Sequence, residues 1–240
     1  MPPELERDVL FHAILMALTR YVPLPFLDDA LRQAAHERMV RRLGTAYQRE
    51  LSKEEVKVLT EDRTGCCSGC LLSLFLWPFK KVLARLLVVW DINRTVDAAS
   101  GYFVSGYLLQ VAFSEGLYHG NAVRLRDAQD AAAARVSTSP VGRVFQSVLG
   151  GASQKLRQAG QELARRLRKQ APPAPEQEAE AAREVIEAVE EEEQKALAPV
   201  IERLREGLKA IPASYYDELK AAFREALREQ SEEVSRDALF

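Results

Sequence analysis

Three observations predict an all-α fold. Apolar residues recur at helical spacing in each periodic stretch, helix-start signals precede several of those stretches, and no segment alternates with period two between turn residues. With 47% hydrophobic and 28% charged residues among 240, the chain can bury a sizeable core, which excludes wholesale disorder. Twelve glycines and eleven prolines are too few for a collagen-like or low-complexity architecture. Three cysteines cannot form a disulfide framework, so a reducing, intracellular setting is expected.

In chain order, residues 8–21 form a strongly apolar helix that stops at Pro23-Leu24-Pro25. The acidic start and the absence of a small-residue cleavage site argue against a secretory signal. Asp28 then caps a helix to about Gly44, with Leu31, Ala35, Met39 and Leu43 on one stripe. Ser52-Lys53-Glu54-Glu55 is a capping box. Residues 70–90 and 95–117 are the two most hydrophobic runs and read as an apolar helical hairpin. Ser139-Pro140 opens a helix that meets Gly150-Gly151 and resumes to Lys169. Residues 171–180 are a Pro/Glu-rich linker. Beyond it, proline-punctuated helices carry Ala182, Val185, Ile186 and Val189, then Val200, Ile201, Leu204, Leu208 and Ile211, then Leu219, Phe223 and Leu227. Their narrow stripes suit a coiled-coil-like hairpin or a surface-lying segment. The divisions expected are 1–136, a helical domain with the apolar hairpin; 137–170, a basic amphipathic helix; 171–180, the linker; and 181–240, acidic amphipathic helices.

The net charge of −2 conceals a split. Residues 1–170 hold 24 Lys/Arg and 17 Asp/Glu, a surplus of +7, and residues 171–240 hold 9 and 18, a balance of −9. Either the basic part meets something anionic or the two parts meet each other. The acidic helices are expected to fold back on the basic helix of 152–169.

Residues 98–114 carry no formal charge over seventeen positions. That is near the lower limit of about 17 for a membrane span, and Gly, Ser and Gln dilute the run. Gly101 and Ser105 form a small-xxx-small pair suited to close helix approach. The run before it, Cys70 to Phe79, ends at Lys80-Lys81, which would be costly in mid-bilayer. Residues 70–90 therefore read as an interfacial or re-entrant segment, with Leu74, Phe75 and Phe79 in contact with the membrane, Trp77 at headgroup level and Lys80 and Lys81 reaching anionic lipid. The alternative is a core hairpin in a soluble bundle.

Tyr21-Val22-Pro23-Leu24-Pro25-Phe26-Leu27-Asp28, followed by Glu37-Arg38-Met39-Val40-Arg41-Arg42-Leu43, Tyr47 and Leu51-Ser52, carries a resemblance. Over about 30 residues the chain resembles a helical domain of unknown function found beside or fused to Era-like small GTPases in membrane-associated bacterial proteins. It lacks the long Ala/Gly-rich membrane helices that follow in that family. It also has no Gly-x-x-x-x-Gly-Lys-Ser/Thr loop, so it is no P-loop GTPase itself. The resemblance implies a bacterial accessory protein linked to the inner membrane, with a small GTPase as a partner class.

Among chemical motifs, Cys66, Cys67 and Cys70 have knuckle-like spacing, but a zinc site needs four ligands and no second cysteine pair exists. Small residues packed at a helix start explain them better, and no metal or other cofactor is expected. The three histidines stand at no motif spacing from a nucleophile or carboxylate, and His36 reads as a surface or boundary residue. Asp28-Asp29 is a helix cap, and Glu190 to Glu193 a solvated charge run. Asp97 reads as a first-turn residue. Lys155, Arg157, Arg165, Arg166, Arg168 and Lys169 surround Leu156, Leu163 and Leu167, an arrangement that binds an anionic surface or an acidic partner. No stacking aromatics accompany this charge, so nucleic acid is not the expected partner. The sequence thus points to a non-enzymatic helical adaptor or regulator at the cytoplasmic face of a bacterial membrane, with a protein partner. The alternative is a soluble all-α interaction module, dimeric through its C-terminal helices.

Overall fold

The computed structural model describes residues 1–19, 27–61, 80–152 and 178–237, with 154, 156, 158–162 and 165. Among them the regular structure is entirely helical: α1 Pro3–Leu18, α2 Leu27–Ala46, α3 Lys53–Thr60, α4 Lys80–Ser114, α5 Ala122–Arg135, α6 Ser139–Gly151, α7 Glu178–Lys209 and α8 Ala213–Asp237. The all-α reading is correct.

Helix α1 is the centre. Its ten residues from Val9 to Leu18 are all buried. A helix apolar on every side has no face to give to water, so it must be enclosed. Helices α2, α4 and α7 enclose it. Helix α2 contributes Leu31, Ala35, Met39 and Leu43, the stripe legible in the sequence. Helix α4 contributes Ala99, Phe103, Leu108 and Ala112, so the uncharged run of 98–114 is spent on core packing. Among the described residues, no helix is long and apolar enough to cross a membrane. A second layer follows, with α6 against α4 and α7, and α5 held between α3, α4 and α8.

Several local expectations change. Asp91-Ile92-Asn93-Arg94 continues α4 instead of breaking it, because nothing there removes a backbone donor or needs a special dihedral. Helix α7 likewise runs through Pro199, at the cost of the ladder hydrogen bond to the Lys195 carbonyl. Helices α7 and α8 do not form a hairpin separate from the body: α7 packs on α1, α2 and α6, and α8 on α5 and α4. Helix α2 begins at Leu27, so Asp28 lies in the first turn and is not the cap. Helix α6 begins one residue after Thr138, with Pro140 in its first turn.

The capping box at α3 forms as read. Ser52 Oγ accepts from the Glu55 N–H at 3.1 Å, and the Ser52 N–H donates to Glu55 Oε2 at 2.7 Å. Glu55 also accepts from the Tyr118 hydroxyl, tying α3 to the loop after α4. That hydroxyl, with the Ser52 N–H, holds the Glu55 carboxyl below the usual carboxylate range.

Close helix approach occurs at Gly106, not at Gly101. A Cβ on Gly106 would stand 2.7 Å from Val9 Cγ1 and 3.2 Å from Met39 Sδ, whereas one on Gly101 would meet nothing within 4 Å. Gly101 instead lines a cavity of about 290 Å³ between α4 and α5, with Tyr102 and Arg126 in its wall. Val9 is β-branched and stiff, so it cannot easily move aside. Gly106→Ala should therefore cost about 1–2 kcal/mol by overpacking. Gly101→Ala should stabilise by about 0.5–1 kcal/mol through helix propensity alone. Urea unfolding of the two variants checks this; equal effects would show that Gly106 is not the tight crossing.

Candidate functional site

The described charged groups converge most densely where α1, α2 and α7 meet. His12 projects from the middle of α1 and is fully buried. Its Nδ1 donates to the Asp8 carbonyl at 2.8 Å, one helical turn back, which leaves a lone pair on Nε2. Glu190 of α7 faces that lone pair, with Oε1 at 3.8 Å. The carboxylate is only 4% exposed, so it does not belong to a solvated charge run. Its position explains this. Glu190 follows Ile186 by four residues and precedes Leu197 by seven, in phase with the buried stripe of α7.

Two arginines of α2 compensate the buried carboxylate. Arg38 Nη2 donates to Glu190 Oε2 at 3.1 Å, and Arg42 Nη2 stands 2.5 Å from Oε1. Arg42 meets Oε1 as an ion pair without an aligned hydrogen bond, and neither Glu190 Oε1 nor His12 Nε2 receives a hydrogen bond. Arg42 also donates to Asp8 Oδ2 at 3.0 Å, and Gln194 of α7 donates to Asp8 Oδ1 at 3.2 Å. Arg38 adds an outer pair to Glu187 at 3.4 Å. Beyond Asp8 and Gln194 lies an open cleft of about 690 Å³ between α1 and α7, with Arg7, Lys195 and Glu202 on its walls.

The same joining of chain halves recurs outside this cluster. Arg7 pairs with Glu202 at 2.6 Å, Arg205 with Glu6 at 3.0 Å, and Arg183 with Glu37 at 3.1 Å. On the other side, Arg224 grips Glu115 at 2.7 Å and Arg135 pairs with Glu229. Three of these five pairs put the arginine on α7 or α8 and the glutamate on the body, so the two parts are joined by ion pairs of both polarities.

Burial, more than any other influence, holds the His12 imidazole below its ordinary range; the Asp8 carbonyl and Glu190 pull it back up, and Arg42 opposes them. A fully enclosed neutral imidazole cannot reach a molecule in the cleft, so its available chemistry is proton uptake coupled to packing.

Other expected sites fall differently. Leu74, Phe75, Trp77 and Phe79, the cysteines Cys66, Cys67 and Cys70, and Lys155, Arg157, Arg166, Arg168 and Lys169 lie outside the described residues. Lys80 and Lys81 open α4. Arg165 is exposed and pairs with Glu162 at 2.7 Å. His36 is buried against Tyr102, ring to ring at 5.6 Å, and is not a surface residue. Asp29 pairs with Arg32 at 2.5 Å. Among the described residues, no three His, Cys, Asp or Glu side chains are grouped to hold a metal ion. Sequence reasoning missed the His12–Glu190 pair; the available signals were a histidine inside an otherwise apolar helix and a glutamate in phase with a buried stripe. No protein-family model, curated protein or solved structure matches the chain.

Two expectations follow from this geometry. The unfolded chain takes up a proton on His12 near pH 6.5 and the folded chain only at lower pH, so stability is full above about 6.5 and falls with pH below it. The charged groups that act on the ring are Glu190, Arg42 and Asp8. His12→Gln, which does not titrate, should flatten that fall when urea unfolding is compared between pH 7.5 and 5; an unchanged slope would remove His12 from the account. Separately, Arg38→Met with Arg42→Met strands Glu190 without a cation and should cost about 3–5 kcal/mol. Adding Glu190→Gln should recover part of that loss in the same urea assay, and no recovery would mean that the arginines act through packing alone.

Proposed function

We propose that this protein is a non-enzymatic helical adaptor or regulator working at the cytoplasmic face of a bacterial membrane, which it touches without crossing. The observation that supports this reading is in the sequence: the apolar run of 70–79 ends at Lys80-Lys81, the pattern of an interfacial segment, while the uncharged run of 98–114 is taken up by the bundle core. In the run of 70–79, Trp77 and the flanking apolar residues would enter the interface, with Lys80 and Lys81 reaching anionic headgroups. The resemblance at the N-terminus supports a small GTPase as the first protein partner to try. Burial of 98–114 in protein also favours a second reading, a soluble interaction module, and one experiment separates the two.

Sedimentation of the full chain with vesicles of about 30% anionic lipid should recover it with the lipid at low salt, and Phe75→Asp with Trp77→Asp should lower that binding about ten-fold or more. Full recovery of the wild-type chain in the supernatant would sink the membrane reading and leave the soluble module.

A further inference from the structure

The first two-thirds of α7, residues 178–198, rest on α2 and α1 through a mixed contact. Ala182, Val185, Ile186 and Leu197 are buried beneath it. Around them Arg38 and Arg42, one turn apart on α2, receive Glu187 and Glu190. This groove selects a helix with two carboxylates three residues apart beside an apolar stripe.

The hold on α7 is incomplete in three respects. At the centre, His12 Nε2 and Glu190 Oε1 face each other as two acceptors, so this contact adds no hydrogen bond to the ion pairs that Arg38 and Arg42 make with Glu190. At the rim, Arg183–Glu37 and Arg38–Glu187 are partly exposed pairs, each worth only about 0–1 kcal/mol. At the far end, Pro199 has no N–H to give to the Lys195 carbonyl, and Lys195 borders the open cleft between α1 and α7. Past Pro199 the helix is seated tightly: a Cβ on Gly207 would stand 2.6 Å from Val144 Cγ1 of α6.

We infer that the α1–α2 groove is a docking surface for an acidic amphipathic helix of a partner protein, and that residues 178–198 occupy it as an internal stand-in which the partner displaces. The strap leaves by bending at Pro199 while 199–209 stay on α6. This inference rests on the adaptor reading and names its partner by chemistry: acidic, helical and apolar along one stripe.

The probe is a fluorescent peptide of residues 178–198 added to the full chain. Self-occupancy lowers the apparent affinity by the fraction of chains open. Glu187→Arg with Glu190→Arg, which loosens the internal strap, should therefore bind the peptide about ten-fold more tightly than wild type. Adding Arg38→Glu and Arg42→Glu should abolish that binding. Equal affinity for wild-type and loosened chains, or none for either, would overturn the inference. Hydrogen exchange on the unaltered wild-type chain decides the matter even where a variant does not fold. Amides of 181–198 should exchange about ten-fold or more faster than those of 9–18, and faster again as NaCl rises from about 50 to 500 mM. Equal protection of the two segments would show that the strap opens only with the whole fold. Neither readout involves lipid, so failure of the vesicle experiment is distinguishable from failure here.

Discussion

Enclosure of α1 sets the terms for the other helices. Because Val9 to Leu18 leave no side of the helix for water, the chain has to bring α2, α4 and α7 around it, and α7 comes from more than 160 residues away. Six large apolar side chains in that stretch, Leu10, Phe11, Ile14, Leu15, Met16 and Leu18, contribute about 1.5–3 kcal/mol each on burial. That gain outweighs the cost of burying one neutral imidazole with a single satisfied nitrogen. His12 is tolerated in the core because its apolar neighbours supply more than its burial costs.

The charge split has a structural meaning in this setting. Ion pairs between distant parts of the chain occur on both sides of the molecule, at Arg7–Glu202 and Arg205–Glu6 on α7 and at Arg224–Glu115 and Arg135–Glu229 on α8. Exposed pairs contribute little individually. Their arrangement matters more than their sum, because it fixes where α7 and α8 lie while the apolar stripes supply the affinity. Glu190 is the exception. It is buried among Arg38, Arg42 and His12, and its removal from those arginines would leave an uncompensated charge inside the fold.

Glycine and proline mark where backbone approach and backbone hydrogen bonding are decided. Gly106 lets α1 and α2 come against α4, and Gly207 lets α6 come against α7. Pro199 divides α7 into a portion seated on α6 and a portion held by a buried apolar stripe rimmed with ion pairs. The cleft at Arg7, Asp8 and Gln194 opens beside that division. An adaptor that exchanges an internal helix for an external one would have its weak point there, where polar contacts replace close packing.

Local chemistry in the sequence was enough to determine the helical class, the Ser52–Glu55 capping box, the α2 stripe from Leu31 to Leu43 and the apolar faces of α7 and α8. These depend on spacing between residues a few positions apart, where 3.6-residue periodicity and capping act directly. Tertiary structure decided which glycine is crowded, that Asp91 to Arg94 continue a helix, that His36 and Glu190 are buried, and that α7 and α8 grip the body instead of each other. The His12–Glu190 pair joins residues 178 positions apart. Periodicity within each helix says which side is apolar, but not which other helix will cover it. That choice is made by shape, by the crossing at Gly106 and by the sign of the charges that rim each face.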